Sequence, residues 1–240
     1  MMKYCIDNSS TDVFFYLAAE EYLLKQSTDD VFILWQDTPS VVLGKHQSVR
    51  AEVNSEWVNQ KQIHIARRFS GGGTVYHDLG NLNLTFIETA SRIPDFTTYM
   101  SRIVDFLLSV GLPAEGDERL GIYLNGLKIS GSAQCVHKNR ILYHCTLLYD
   151  TDLSTLNKVL DSESNTGDLP VSANAVPSVR SEVTNIGYYL QGKTIDQFKT
   201  MLFQYLSTGY TSRDFELEEL KAIDRLRNEK YIQKEWVFNR

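Results

Sequence analysis

The sequence predicts an α/β protein: a mixed, largely antiparallel sheet with flanking helices. Three observations predict it. Strand-like runs rich in β-branched and aromatic residues crowd the first part of the chain, namely "VFILWQ", "SVVLGKHQ", "IHIARRF", "TVYHD" and "NLNLTFIE", with turn residues between them. These runs do not alternate strictly with helices, so a doubly wound parallel sheet is not expected. Asn125-Gly126, between two alternating runs in "GIYLNGLKISGSAQ", signals a hairpin with a type I′ turn, which needs φ > 0 twice.

In chain order, the first helix is expected from Asp12 to about Gln26, capped by Ser10, Thr11 or Asp12. Val13, Phe14, Leu17, Ala18 and Leu24 form its apolar stripe. Glu21 falls inside the stripe, where a carboxylate wants a partner. The expectation is a position at the stripe's edge or a structural pair with an arginine, not catalysis. After the strands, a helix from Thr97 to Val110 carries Tyr99, Ile103, Phe106 and Leu107 and stops at Gly111, before Pro113. Later helices are expected at "DLSTLNKVL", at "TIDQFKTMLFQYL", where Thr194 and Gln197 have capping-box spacing, and at "ELEELKAIDRLRNEKY". The polar stretch "DSESNTGDLPVSANAVPS" reads as a long surface loop.

Composition removes several functions. A chain of 240 residues has ample length for a core, and 42% hydrophobic with 22% charged residues is the balance of an ordinary soluble protein. The net charge of −6 argues against broad nucleic-acid binding, which needs many Lys and Arg contacts to phosphate. No apolar run has the length of a membrane span. The opening "MMKYCIDNSS" lacks the basic-then-apolar order of a signal peptide, so a cytoplasmic protein is expected. Three cysteines without CxxC spacing suggest neither a disulfide framework nor a zinc site, and no metal-ligating residues are assigned.

Two stretches carry candidate chemistry. "RRFSGGGTVYHD" places three glycines between two strand-like runs, which suits either a ligand-cradling turn or a purely structural one. In the hairpin, pairing of Leu124 with Leu127, Tyr123 with Lys128 and Ile122 with Ile129 puts the four aliphatic residues on one face. Tyr123, Lys128 and Ser130 then share the other. A strand lysine is ordinarily a solvated edge charge. Here it precedes Ser130-Gly131-Ser132, whose turn amides together with an ammonium suit a phosphate or carboxylate. The chain thus offers two glycine-rich anion cradles, one with Arg67 and Arg68 and the other with Lys128.

The motifs "RRFSGGGTVYHDLGNLNLTFI", "LKISGSAQ", "YHCTLLYDTDLSTL", "SVRSEVTNI" and "LRNEKYIQKEWVF", with the earlier "FYLAAEEYLLK" and "ILWQDTPSVVLGKHQ", stand in the order and spacing of lipoate-protein ligase A. The chain resembles that family over nearly its whole length. The resemblance implies a single catalytic domain, residues 1–240, of the class II aminoacyl-tRNA synthetase and biotin ligase type, without the family's small C-terminal accessory domain. It implies ATP, Mg2+ and lipoate as cofactors and substrate. The acid is joined to AMP, and the acyl group then passes to a lysine of a lipoyl carrier domain of the 2-oxoacid dehydrogenase E2 or glycine cleavage H protein type. A separate accessory-domain protein is a further possible partner.

Carried over by motif, Gly71, Gly72 and Gly73 would lie against lipoyl adenylate. Arg68, Gly73, Thr74, Val75 and Tyr76 would contact the nucleotide, and His77 belongs to the same binding set, holding the turn with Asp78. Lys128 would be the catalytic cation bridging acyl carboxylate and α-phosphate. Ser130, Gly131, Ser132 and Ala133 would line the acyl end. Trp35, Val41 and Val75 are candidates for the apolar slot by composition.

Three positions depart from the family pattern. Gly116-Asp117-Glu118-Arg119 replaces Gly-Arg-Asn-Asp, where the family serves the nucleotide and its metal. Cys145 replaces a glycine in His144-Cys145-Thr146-Leu147-Leu148, and is expected to be a buried, inert strand cysteine. Ser181-Glu182-Val183 replaces Ser-Arg-Val. His77, His144 and Asp78 with Ser70 or Cys145 suggest a triad by proximity alone, without a nucleophile-elbow pattern. The competing functions are an ATP-independent lipoyl or octanoyl transferase working through a cysteine thioester, and a non-catalytic lipoate-binding paralogue.

Overall fold

Strand β1 (Lys3–Ile6) opens the chain and is followed by helix α1 (Val13–Gln26), whose first amides are satisfied by Asp12, with Phe14 N–H donating to its carboxylate at 2.8 Å. β2 (Asp30–Trp35) is buried along its whole length, as its unbroken apolar run requires of a strand covered on both faces. It pairs antiparallel with β6 (Asn81–Thr89), which pairs antiparallel with β11 (Arg140–Leu148), which in turn pairs antiparallel with β10 (Ser132–His137). On the other side β2 runs parallel to β1, and β1 parallel to the short β12 (Thr211–Ser212). The sheet order is thus β10-β11-β6-β2-β1-β12, mixed and largely antiparallel as expected. The computed structural model describes residues 2–90, 94–161 and 177–238.

Each face of this sheet is covered. Phe32, Leu34, Leu84, Phe86 and Tyr143 meet α4 (Thr97–Ser109) and α6 (Ile195–Leu206) on one side. Val31, Ile33, Trp35, Ile87 and Leu142 meet α1 on the other. Tyr99, Ile103, Phe106 and Leu107 are the buried face of α4, and Thr194 with Gln197 forms the full capping box at α6, both as the sequence implies.

α1 departs from the expected single stripe. Tyr16, Ala19, Glu20 and Leu23 are buried along with Val13, Leu17, Ala18 and Leu24, while Phe14 is only half-buried. The reason is a cover on its outer side. The last helical run of the sequence divides into α7 (Leu217–Leu226) and a wider turn at Arg227–Tyr231, and both pack on α1. Glu21 pairs with lysines and not with an arginine: Lys25 at 2.5 Å and Lys230 at 2.6 Å, with the Tyr231 hydroxyl donating at 2.5 Å. Burial opposes its ionisation, but these three partners prevail and hold its carboxyl below the usual range.

Two smaller sheets flank the large one. The first is β4-β3-β5, from β3 (Ser40–Leu43), β4 (His64–Arg67) and β5 (Val75–His77). The second is β7-β8-β9, from β7 (Ala114–Gly116), β8 (Ile122–Leu124) and β9 (Leu127–Ser130). The short helices α2 (Val49–Glu52) and α3 (Ser55–Gln60) were not evident in the sequence, being too brief to show a helical period. α5 (Leu153–Val159) forms where "DLSTLNKVL" places it, and α8 (Lys234–Phe238) follows α7. Most of the polar stretch expected as a surface loop lies outside the described residues. No helix among the described residues is long and apolar enough to cross a membrane.

Candidate functional site

The register of the large sheet lays out a row of residues across four strands. Thr146 N–H donates to Gly131 O at 3.0 Å, Thr146 stands opposite Asn83, and Asn83 stands opposite Trp35. Strand spacings of about 4.8 Å make this row about 14 Å long. Over it lie β5 and the glycine-rich loop, and between them is a cleft of about 240 Å³. Lys128, Gly131, Ser132 and Ala133 line it around the Gly131 end of the row and Trp35 lines it at the other end, with Leu17, Val42, Val75 and His77 also in the wall. The strand period explains one miss. Val42 lines the slot in place of Val41, which points to the opposite face of β3 and packs with Tyr76 and Leu43. Tyr76 likewise borders a smaller adjoining hollow of about 180 Å³ that shares Lys128, Thr74 and Gly131 with the cleft.

The loop from Ser70 to Thr74 is rigidly tied. Gly72 has φ +88°, and a side chain on Gly44 would sit 2.0 Å from the Gly72 carbonyl oxygen, so both positions require glycine. Thr74 N–H donates to Ser178 Oγ at 2.8 Å and Thr74 Oγ1 to Gln47 Oε1 at 2.7 Å. Gln47 Nε2 donates to Ser178 Oγ at 2.8 Å, and the Ser178 hydroxyl donates to Glu52. None of Gln47, Glu52 and Ser178 stood out in the sequence, because each acts from a distant segment. Gly72, Gly73, Thr74 and Val75 border the cleft; Gly71 does not.

The two arginines differ from the expected pair of anion-binding cations. Arg68 is buried in the cleft wall and donates to Gly71 O at 3.0 and 2.7 Å, to Gly73 O at 2.6 Å and to Val42 O at 3.2 Å. It shapes the loop from behind. Burial, with a smaller contribution from Arg67, brings its pKa down to about 10, against the attraction of Glu20. Arg67 is fully buried and turns away, donating to Gly44 O, Gln47 O and Val237 O at 2.6 to 3.0 Å.

The lysine hairpin forms with Asn125 at φ +49° and Gly126 at φ +81°, the expected turn. Leu124 pairs with Leu127 and Tyr123 with Lys128, but a bulge then sets Ile122 opposite Ser130, which is buried instead of sharing the face of Lys128. Lys128 is held on its outer side by main-chain bonds, its N–H donating to Glu182 O at 2.9 Å and its carbonyl accepting from Thr184 N–H at 3.0 Å. Glu182 thus meets the hairpin through its backbone, and its side-chain charge takes no part in this contact. Burial lowers the Lys128 pKa and Arg119 adds to this, while Asp117 opposes it. Asp117 lines the cleft beside the lysine, accepting from Gly121 N–H at 2.7 Å, Arg119 N–H at 3.0 Å and Tyr123 OH at 3.0 Å. No cluster of three or more metal-ligating side chains occurs among the described residues.

Two histidines in the cleft wall are each held by a buried carboxylate. His77 Nδ1 lies 3.1 Å from Asp37 Oδ1, and Asn83 donates to the same oxygen at 2.9 Å. His144 Nδ1 lies 3.0 Å from both oxygens of Glu20, and its Nε2 lies 3.0 Å from Ser70 Oγ. A serine, histidine and carboxylate are therefore linked, but the third member is Glu20 and not Asp78. Ser70 is buried and does not border the cleft, so the chain braces the loop against α1. Asp78 instead accepts from Gly80 and Asp152 amides. Cys145 is buried with its pKa pushed up to about 12 by desolvation, leaving no thiolate.

Residues 12–207 match the lipoyl protein ligase A/B catalytic domain family. The chain is 33% identical over its whole length to lipoate–protein ligase 1 of Staphylococcus aureus, covering 74% of that protein. It is 36% identical over 75% of its length to the mitochondrial lipoyl amidotransferase LIPT1 of Homo sapiens, covering 49% of that protein. Among solved structures, the T. acidophilum protein Ta0514 with bound lipoic acid superposes with a TM-score of 0.83 at 24% identity, covering 99% of each chain.

Proposed function

The chain belongs to the lipoyl protein ligase A/B catalytic domain family, and we propose that its cleft joins lipoate to AMP and passes the lipoyl group to a lysine of a lipoyl carrier domain. One observation carries this reading: Lys128 stands where the cleft that reaches Trp35, a turn of backbone amides and an adjoining hollow meet. The slot takes the acyl chain and the hollow the nucleotide. The lipoate carboxylate attacks the α-phosphorus of ATP, forming a mixed anhydride as the bond to pyrophosphate breaks. Two anions approach in that step, and Lys128 between them stabilises the charge that both share in the transition state. The tied loop and Ser132 fix the reacting groups in one geometry. The carrier amine then attacks the acyl carbon, and AMP leaves as the amine loses a proton.

Magnesium fits through Asp117. Mg2+ is commonly held by one or two carboxylates plus substrate phosphates, and Asp117 is a carboxylate bordering the cleft beside Lys128. When bound there with ATP, the ion would neutralise phosphate charge. Residues 1–240 act as one catalytic domain in this reading, in the cytoplasm, on a carrier of the 2-oxoacid dehydrogenase E2 or glycine cleavage H protein type. The likeness to a lipoyl amidotransferase supports a second reading, direct transfer from a lipoylated donor protein without ATP. The buried, protonated Cys145 speaks against a thioester at that position. The test is the intact mass of an apo lipoyl carrier domain incubated with this protein. A lipoyl gain with lipoate and Mg-ATP supports the ligase; a gain only from a lipoylated donor, without ATP, supports the transferase and refutes the ligase.

A further inference from the structure

The glycine-rich loop and the lysine hairpin belong to different sheets, and one short run of chain is fixed to both. Ser178 to Thr184 passes along the cleft, with Ser178, Val179 and Ser181 in its wall. Its far end is joined to the hairpin. Val183 bridges Lys128 in parallel, Glu182 O accepts the Lys128 N–H at 2.9 Å, and Thr184 N–H donates to Lys128 O at 3.0 Å. The next residue, Asn185, is buried and exchanges two hydrogen bonds with the main chain of Thr151, which anchors that end. The middle, from Val179 to Glu182, is exposed, with Arg180 donating to Leu160 O at 2.7 Å. The near end is Ser178, which reaches the glycine-rich loop.

A serine hydroxyl has one hydrogen to give and two lone pairs with which to receive. Ser178 gives its hydrogen to Glu52 and receives the Thr74 N–H and Gln47 Nε2, each at 2.8 Å. Its own N–H donates to the other oxygen of Glu52 at 3.0 Å. The side chain borders the cleft, yet no donor or acceptor of its hydroxyl is left for a ligand. Glu52 is 7% exposed, and a carboxylate only accepts, so the hydroxyl hydrogen is fixed toward α2 and the lone pairs toward Thr74 and Gln47. The bond to Thr74 therefore has one direction, and the contact is close: a side chain on Gly73 would stand 3.1 Å from the same oxygen.

We propose that Ser178 and Glu52 are positioning residues that set the spacing of the glycine-rich loop from Lys128, so that a phosphate held against the loop lies where the ammonium group meets it. The proposal rests on the ligase reading for the step that this spacing serves. Loop and hairpin are each well tied internally, but the charge on Lys128 acts on the reacting phosphate only when the two stand at one distance. A displacement on the order of 1 Å at a reacting centre costs about 10²-fold in rate. Glu52 acts through Ser178, and Ser178 through the loop and the strap, so neither is a catalytic residue.

The experiment is a double-mutant cycle read by lipoate-dependent exchange of pyrophosphate into ATP, in the native protein, Ser178→Ala, Lys128→Ala and the double variant. Ser178→Ala should slow exchange about 10²-fold when Lys128 is present and less than about twofold when it is absent, because a spacing has no effect on a cation that is gone. A serine that only stabilised the fold would slow both backgrounds by one factor. Equal factors, or an unchanged rate in Ser178→Ala, overturn the proposal. Glu52→Gln is the second variant and decides if Ser178→Ala does not fold. Whichever way its amide lies, it sets a donor against the Ser178 N–H or the hydroxyl, so its loss should also depend on Lys128. A native protein that exchanges no pyrophosphate refutes the ligase reading instead. The same cycle is then read in the calorimetric affinity for a sulfamoyl analogue of lipoyl adenylate, where an effect of Ser178→Ala that vanishes without Lys128 supports the spacing role and an equal effect in both backgrounds overturns it.

Discussion

Replacing Arg68 by methionine keeps an unbranched stem and removes every donor it supplies to the loop. In the native chain its guanidinium satisfies the carbonyls of Gly71 and Gly73 through three contacts of 2.6 to 3.0 Å, at a site 5% exposed to solvent. Leaving an acceptor unpaired costs about 1–3 kcal/mol, the lower end for the half-buried carbonyls of Gly71 and Gly73 and the middle for the buried carbonyl of Val42, so together they amount to about 4 kcal/mol. Removing a buried cation returns some of this, because its desolvation is relieved. A net loss of about 3 kcal/mol lowers the melting temperature of a domain of this size by about 9 °C. Differential scanning calorimetry reads that shift, and carrier modification read by mass should show a raised KM for lipoate, since the loop no longer holds one geometry. Arg68→Lys should fall between, as one ammonium can reach at most part of the set. An Arg68→Met protein that melts within 2 °C of native yet has lost adenylate formation would refute the reasoning. It would show a guanidinium that serves the ligand and not the loop.

Lys128→Ala should slow lipoyl-AMP formation by about 10²–10³, as loss of a positioned charge-stabilising group does, with little change in melting temperature; pyrophosphate exchange measures it. Cys145→Ala should retain carrier lipoylation, because the native thiol, its pKa raised to about 12, contributes no nucleophile; abolished transfer would revive the thioester route. Glu21 has its carboxyl held below the usual range, so its contribution to stability is fully present above the unfolded value of about 4.3 and is lost as pH falls through the folded value. Melting curves of native and Glu21→Gln protein should therefore differ near neutrality and converge in acid; a constant gap down to acid pH would refute the pairing.

Local signals proved legible where one segment sufficed to specify a structure. Asn125-Gly126 dictates its turn, Thr194 and Gln197 their box, and the run "VFILWQ" the strand β2. Lys128 beside a turn of small residues was readable for the same reason. What failed were inferences about side-chain destination. Arg67 and Arg68 are adjacent and look alike in sequence, but Arg67 ends β4 and turns to the carbonyls of Gly44, Gln47 and Val237, while Arg68 follows the strand and reaches the loop. Val41 was chosen over Val42 because both fit a strand equally well until the sheet fixes which face meets the slot. Glu20, Gln47 and Ser178 carried no local signal at all. Their partners lie 124, 27 and 104 residues away, and only the tertiary fold brings such groups together.

Arg67 has a consequence in time. Its guanidinium reaches Val237 O and its own carbonyl receives the Trp236 indole, contacts spanning 170 and 169 residues. Contacts of such sequence separation form slowly, because a long stretch of chain must be ordered before they stabilise anything. During synthesis the strand that carries Arg67 emerges long before Val237 exists to receive it, and the next residue, Arg68, begins the bend into the loop. The strand that leads into the glycine-rich loop is thus held in part by a segment made much later. A nascent chain holding Lys128 and the hairpin lacks the contacts between Arg67 and the segment around Val237 until that segment has emerged, so β4 gains this support only after the hairpin exists.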